Sequence, residues 1–503
     1  MNIVKNKLQP IKILLMPVIL LMLAASLNAQ HRGDNLSFQG LSFESQSGVK
    51  ALAMGTAYTA VTGDLGNLFW NPAGLSDIKK LQVSVSANSY TRNWWENQYY
   101  RPNRLFVTLP FYLDGLYIPR PQDNGMWDHL RAQDSTYTVS DPKLGLDDYS
   151  KDAADWVETK SKTVLNNISA ALPLNLAGEK FVVSASYGQK PVADFDRNDT
   201  YLDPHPGYDA YGLFPKAVGT DTIDMHWYRF LRQRNGVLNN INAAIAWDMT
   251  ENIKLGVGGS YLRGTTDDNI SLTGHGVFQL LKENRFMFSY ENSLQSLKGE
   301  SKFSGMNMNL SAIIKTEHFN IGAKFDLPYT LKREWAYTES KTDTAGHSSS
   351  GNISGTDEVK IPMIFSVGVA FRPVKNFMVT FDYRNAALSK AEFSLASADT
   401  MFRKWTDAGS ICFGAEFKAS SYLTLLAGYR SIPQSFIPDG AAIKDEGPEA
   451  QSFSAGVSLN FSFGRFDAAY EIRRLKYYDS YYSNTNYAVE TYNNLTIGYT
   501  ISF

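Results

Sequence analysis

The feature that most constrains this chain is an alternation of apolar and polar residues that begins near Leu81 and still runs at Phe503. Leu81, Val83, Val85 and Ala87 alternate with Gln82, Ser84, Ser86 and Asn88, and Phe377, Val379, Phe381 and Tyr383 with Met378, Thr380, Asp382 and Arg384. The last segment sets Leu495, Ile497, Tyr499, Ile501 and Phe503 against Asn494, Thr496, Gly498, Thr500 and Ser502. Successive strand residues point to opposite faces, so these are strands with one apolar and one polar face.

Half-buried sheets of soluble proteins alternate as well, but three properties set this chain apart. Charges sit well inside strands on the polar side, at Lys324, Asp326, Asp382, Glu416, Lys418, Asp467 and Glu471. The runs reach about ten residues, the length of a tilted strand crossing a bilayer. Short connections (177–180, 250–252, 317–318, 373–375, 419–421, 463–465) alternate with long ones (119–163, 196–235, 263–301, 329–359, 385–408, 432–451, 475–491). The pattern predicts an all-β, closed antiparallel transmembrane β-barrel, because backbone groups in hydrocarbon must be paired and only closure removes the edges. About fourteen strands fit between the connections, and the apolar segments 104–118 and 286–297 raise the total to sixteen if both count, either being an even number. In the first long loop, Asp141 and Pro142 can start a helix toward Lys160, against which Gly145 weighs. The second long loop holds Tyr201, Tyr208, Tyr211, Phe214, Trp227, Tyr228 and Phe230, dense enough to pack down as a roof over a pore or as a small core of its own.

Residues 1–29 read as a secretory signal peptide. Lys5, Lys7 and Lys12 precede the apolar run from Ile13 to Ala25, which is too short to span a membrane, and Ala29 offers a cleavage point before Gln30 although Leu27 is larger than preferred. A formal net charge of -2 gives no basic stripe for nucleic acid. The single cysteine, Cys412, excludes a disulfide framework and a CxxC metal site. Among seven histidines none stands in a catalytic motif, GxSxG and HExxH are both missing, and Gly256-Val-Gly-Gly lies in a strand rather than a nucleotide loop. The expectation is therefore no enzyme, no cofactor and no metal. The acidic residues between Asp123 and Glu158 are candidates for contact with lipopolysaccharide or divalent ions.

Residues 30–76 lack the alternation and precede the barrel assigned to 77–503. A barrel of this size has a lumen wider than its wall side chains fill, so a small-residue stretch such as 48–61 is suited to plug it. Pro72 restricts Asn71 and stiffens the tract Asn71-Pro72-Ala73-Gly74, while Gly74 frees the chain to bend into the first strand. Spacing alone serves an ordinary turn leading into a strand equally well.

The stretch Ala51-Leu-Ala-Met-Gly-Thr-Ala-Tyr-Thr-Ala-Val61 with Trp70-Asn-Pro-Ala-Gly-Leu75 resembles the N-terminal hatch of the FadL/TodX family of outer-membrane transporters. The resemblance continues at Ala171-Leu-Pro-Leu-Asn175, along 361–373 with Phe381-Asp-Tyr383, in Phe413-Gly-Ala-Glu-Phe417 through Ala427-Gly-Tyr-Arg430, and at the terminal Phe503. It implies passive uptake of long-chain fatty acids or aromatic hydrocarbons, captured at the outer loops and released sideways or past a shifting hatch, with Asn71, Pro72, Ala73 and Gly74 at the gate. For an acid ligand, Arg372, Arg384, Arg430 and Arg473 alternate onto the polar face as candidates for its carboxylate, although pairing with Asp382, Glu416 or Glu471 is the commoner outcome. Phe69 and Trp70 are candidates for an apolar pocket, with packing of the plug as the bland alternative. The resemblance also allows a PorV-like role as surface partner of a protein-secretion system. A transporter needs an apolar path continuous with the lumen, whereas a cargo partner needs a broad surface patch over a sealed one.

Overall fold

The computed structural model describes residues 36–41, 48–99, 146–206, 223–280, 286–290, 292–396, 405–436, 448–480 and 485–503. The signal-peptide assignment, segment 104–118, the start of the expected helix at Asp141, and Tyr208, Tyr211 and Phe214 lie outside them.

Two short helices, α1 (Val49–Ala53) and α2 (Asn67–Trp70), and a 3-10 helix (Pro72–Asp77) precede eighteen strand elements. These are β1 (Gln82–Tyr99), β2 (Trp156–Leu176), β3 (Glu179–Pro206), β4 (Ile223–Asp248), β5 (Ile253–Leu280), β6 (Phe286–Tyr290), β7 (Leu294–Lys315), β8 (Phe319–Asp326) and β9 (Tyr329–Thr342). They continue with β10 (Ser348–Ile361), β11 (Ile364–Val374), β12 (Phe377–Ala386), β13 (Glu392–Ser394), β14 (Ser410–Lys418), β15 (Leu423–Pro433), β16 (Glu449–Phe461), β17 (Gly464–Ser480) and β18 (Thr485–Ser502). The sheet closes because β1 pairs antiparallel with β2 on one side and with β18 on the other, from Gln82↔Ser502 to Tyr99↔Thr485.

The eighteen elements build fourteen staves. β8 and β9 are halves of one stave, broken at Leu327 and Pro328, and β10 and β11 are halves of the next, broken at Pro362 and Met363. The breaks face each other, Ile361 opposite Tyr329 and Ile364 opposite Asp326. A proline in each supplies no N–H to the ladder, so the two interruptions fall together. β12 and β13 share a further stave, and β6 is a spur paired only with the end of β5. The apolar segment 286–297 therefore adds no stave, and the count is fourteen, not sixteen.

Side-chain exposure follows the alternation. Ile245 is 52% exposed while its neighbour Ala244 is 4% exposed, and the same contrast runs along every stave. Outward positions such as Val85, Leu172, Val257, Leu310, Val367, Phe413 and Ile497 form an exposed apolar belt. Inward positions such as Ser184, Asn242, Lys254, Asn309, Lys324, Asp382, Glu416 and Asp467 are buried and polar. The surface is apolar outside and polar inside, as a membrane-spanning barrel requires.

Four of the expected long loops are largely strand, 475–491 among them, where β17 reaches Ser480 and β18 starts at Thr485. β3 runs on to Pro206 and β4 starts at Ile223, β5 reaches Leu280, and β9 and β10 form one continuous hairpin across 329–359. Beyond the belt the outward face turns polar while the inward face buries Leu331, Arg333, Trp335 and Tyr337. The membrane pattern thus ends although the hydrogen-bonded ladder does not. Residues 156–160 are likewise strand rather than helix, because pairing with β1 from Trp156↔Glu96 overrides the local helix start.

One ladder is incomplete. β2 and β3 pair only from Asn167↔Gly188 to Leu176↔Glu179. Past Gly188, β3 stays with β4 and leans toward β1, where Arg92 Nη1 donates to Ala193 O at 2.7 Å and Gln98 Nε2 to Arg197 O at 3.3 Å. The wall splits there.

Placing a charge at the centre of the β4 belt tests the assignment of faces. Ile245→Arg is expected to lower the unfolding free energy in lipid by about 2–4 kcal/mol, while Ile245→Leu changes it by under about 1.5 kcal/mol, both read from urea titrations of the inserted barrel.

Candidate functional site

The N-terminal segment packs against the inward face of the staves. Its residues are small (Ala51, Ala53, Ala57, Ala60) and fully buried, and the wall opposite is glycine. A Cβ on Gly256, Gly322, Gly368, Gly414, Gly428 or Gly456 would fall within 3.0 Å of Ala73, Thr59, Thr59, Met54, Gly55 and Ala53 respectively. Glycine in a strand interior marks close approach of another backbone; here main-chain atoms of the segment come up to Gly256, Gly322, Gly414 and Gly428, and the Cβ atoms of Thr59 and Ala53 to Gly368 and Gly456.

Polar contacts fix the segment in place. Asp382 Oδ2 accepts from the backbone N–H of Tyr58 at 2.8 Å and of Thr59 at 2.7 Å. Ser454 Oγ accepts from Gly55 N at 3.0 Å and donates to Ala53 O at 3.1 Å, capping α1 from the wall. This contact holds Gly55 and Thr56 at φ +60° and +63°, the second an unfavourable value for a β-branched residue. Lys50 reaches Glu416 at 2.9 Å, Arg465 reaches Asp64 at 2.6 Å, and Lys324 Nζ donates to Phe69 O at 3.1 Å. At the far end Asp77 takes Lys315 at 2.7 Å and Lys254 at 3.0 Å. Burial works against ionisation of Asp64, but Arg465 and Lys50 hold its carboxyl below the usual range. Asp77 is likewise opposed by burial, yet hydrogen bonds from Lys315, Thr62 and Lys254 bring it down to about 2.

The tract Asn71–Gly74 is the most tightly specified part. Asn71 is fully buried, and its Nδ2 donates to Thr59 O at 2.6 Å and, more weakly, to Ala312 O at 3.3 Å and Ala323 O at 3.4 Å. Its Oδ1 accepts from Ala73 N at 3.1 Å, and that N–H is shared with Ser311 Oγ at 3.1 Å. Pro72 opens the 3-10 helix, where a missing N–H is tolerated. A Cβ on Gly74 would strike the Asn67 side chain and Val61 O, and Gly74 O accepts from Gly63 N at 2.8 Å. The tract clasps its own segment and two adjoining staves.

Among the described residues, two cavities that border the segment stand out. The larger, about 110 Å³, is lined by Leu41, Leu68 and Phe69 of the N-terminal segment and by Val192, Leu238, Leu262, Leu331 and Ile364 of the wall. Asn240, Asn242, Asn307, Asn309, Lys324, Asp326 and Arg384 form its polar side, and Lys190 and Pro191, the residues just past the end of the β2–β3 ladder, close another. The smaller, about 20 Å³ and so room for about one water, lies between Trp70, Thr56, Thr59, Asp382, Arg384, Cys412 and Arg430. Of the residues singled out by sequence, Phe69 and Arg384 thus meet at the large cavity, and Trp70, Arg384 and Arg430 at the small one. Arg430 is ion-paired with Glu471, which also accepts from Ser452 Oγ at 2.6 Å. Arg473 stands apart, its guanidinium 4.8 Å over Tyr492, and Arg372 lies at the short-turn end, its N–H donating to His318 O at 2.8 Å.

No family model and no curated protein matches the chain. Among solved structures it is similar to a Pseudomonas aeruginosa FadL homologue (12% identity, TM-score 0.58, covering 92% of this chain and 100% of that one). It is similar also to the P. putida toluene transporter TodX (12%, 0.57, 91% and 99%) and to the monoaromatic hydrocarbon channel CymD (11%, 0.52, 91% and 97%). The fold is that of the FadL and TodX barrels. Within this FadL-like frame, sequence reasoning expected Asp382 to pair with wall arginines. Instead it receives two backbone N–H groups, a role signalled only by the inward glycines around it.

Two substitutions test how the segment is held. Asp382→Ala removes the acceptor of the Tyr58 and Thr59 amides and is expected to speed their hydrogen exchange by at least about tenfold while the β1–β18 ladder stays protected. Asp77 has its folded value below the ordinary aspartate value of 3.8, so its contribution is complete above that pH and is lost as pH falls toward about 2. Exchange in the 3-10 helix should rise over that interval, and Asp77→Asn should raise it at neutral pH.

Proposed function

We propose that the protein is an outer-membrane channel for passive uptake of hydrophobic molecules, with residues 30–76 as a hatch and Asn71, Pro72, Ala73 and Gly74 at its gate. The observation that carries this reading is the larger cavity: part apolar and part polar, it has Leu68 and Phe69 of the N-terminal segment on one side and the start of the β2–β3 split on another. A hydrophobic solute entering it leaves water without meeting an aqueous pore. The split then offers a sideways exit, so the hatch need move only locally. Toluene and monoaromatic hydrocarbons are what the similar barrels are named for, and aromatic hydrocarbons and long-chain fatty acids are the substrates proposed here. The Asn-lined side and Arg384 suit a molecule with one polar end. A cavity joined to a split wall favours transport over the secretion-partner role, which calls for a sealed lumen.

The test is uptake by cells whose own hydrophobic-uptake barrel is deleted. Expression of this chain should accelerate entry of toluene and of a long-chain fatty acid, and Asn307→Trp, which fills the cavity, should reduce entry about tenfold or more. No acceleration by the unaltered chain would overturn the reading. Deleting residues 31–70 should leave an inserted barrel that leaks small polar solutes, and unchanged leakage would remove the hatch from the proposal.

A further inference from the structure

The split contains a cluster that the path just described does not use. Phe195 of β3 packs between Trp94 of β1 and Trp156 of β2, at ring distances of 6.0 and 5.2 Å. Lys160, on the inward face of β2, places its ammonium 5.9 Å from the Trp94 ring and 5.5 Å from the Phe195 ring. That nitrogen is buried and has no hydrogen-bond partner; Trp156 Nε1, in a residue 8% exposed, is buried and unpartnered too.

Three other ammonium groups in the lumen are held differently. Lys50, Lys254 and Lys324 each reach a carboxylate at 2.8–2.9 Å. Around Lys160 the acids are engaged or short of contact. Glu490 is taken by Arg92 at 2.8 Å and Asp194 by Arg232 at 2.8 Å, while Glu158 acts on the ammonium only through space. Two aromatic faces offset part of the desolvation of a cation, but they provide no acceptor for its three N–H groups. An orphaned ammonium and an orphaned indole N–H against one ring form a site that lacks an anion.

We infer that this cage is a head-group subsite in which Lys160 Nζ and Trp156 Nε1 receive the carboxylate of an amphipathic acid as its tail passes the β2–β3 split. The inference rests on the channel reading and narrows its cargo to molecules with one anionic head. A membrane lipid phosphate offers the same head-group chemistry, and the test separates the two.

Binding is measured as bromine quenching of tryptophan emission in the full-length barrel in phosphatidylcholine vesicles, with 11-bromoundecanoic acid and 11-bromoundecanol as probes. Uptake of the acid and the alcohol is followed in the cells above. Lys160→Met should weaken acid binding and acid uptake about tenfold or more and leave the alcohol unchanged, with Lys160→Arg retaining most of the acid response. Trp156→Phe, which keeps the ring and deletes the N–H, should show the same selectivity to a smaller degree. Equal loss of acid and alcohol, or loss of neither, overturns the subsite and leaves the channel standing. Quenching by brominated phosphatidylglycerol that depends on Lys160, with acid binding independent of it, assigns the cage to lipid and overturns the cargo role. If the unaltered chain imports neither probe, the channel reading falls and the subsite with it.

Discussion

Closure of the ladder between β1 and β18 is the constraint on which the rest of the structure depends. In hydrocarbon an unpaired backbone group costs several kcal/mol, so the first and last staves must meet, and they do so over their full shared length. Closing fourteen staves leaves a lumen that inward side chains do not fill. That space excludes lipid, holds polar groups, and needs an occupant able to hydrogen-bond with them. The chain's own N-terminal segment is that occupant.

The fit combines close approach of backbones with a buried apolar cluster. Where most inward positions carry Ser, Asn, Lys or Asp, several staves facing the segment carry glycine, so main chain approaches main chain, while Leu52, Met54, Leu68, Phe69 and Leu75 pack into one cluster with Val182, Met378 and Leu426 of the wall. Charge and hydrogen bonds then decide the register. Asp382 reads the amides of Tyr58 and Thr59, Asn71 reads carbonyls on its own segment and on two staves, and Asp77 binds two lysines at the short-turn end. Small buried residues, many directional contacts and a shared buried apolar cluster together make the attachment specific.

The barrel was legible in the sequence because lipid outside and water-like lumen inside impose a contrast at every second residue. The strands that start at short turns, β3, β5, β8, β12, β15 and β17, begin within two residues of where that contrast begins. It failed beyond the apolar belt, in the upper parts of β3, β4, β5, β9 and β10, because pairing there continues without lipid and the pattern no longer reports it. The inward glycines were in plain view, one in Phe413-Gly-Ala-Glu-Phe417, one in Ala427-Gly-Tyr-Arg430 and one in Ser454-Ala-Gly-Val457. Each leaves one inward position without a side chain, and together they mark where the N-terminal segment comes closest to the wall. The partners of Asp382 and Lys160 were hidden, because a neighbour brought in by a bent strand leaves no local trace.

The position of the split reconciles a broken wall with a membrane. Its ladder ends at Asn167↔Gly188, beside the outward residues Ile168 and Tyr187. Above that point the outward face of β2 turns mostly polar, with Thr159, Ser161 and Thr163 between Val157 and Leu165. Unpaired N–H and C=O groups of β2 are therefore freed at the membrane boundary, where water and head groups can satisfy them, and not in the hydrocarbon, where nothing can. β3 is held inward by Arg92 and Gln98 of β1, which bond the carbonyls of Ala193 and Arg197 that β2 has lost, and Pro191 at the bend has no N–H to leave behind. An opening built this way faces the interface between lipid tails and polar surroundings, the place where an apolar body and a charged head are both accommodated.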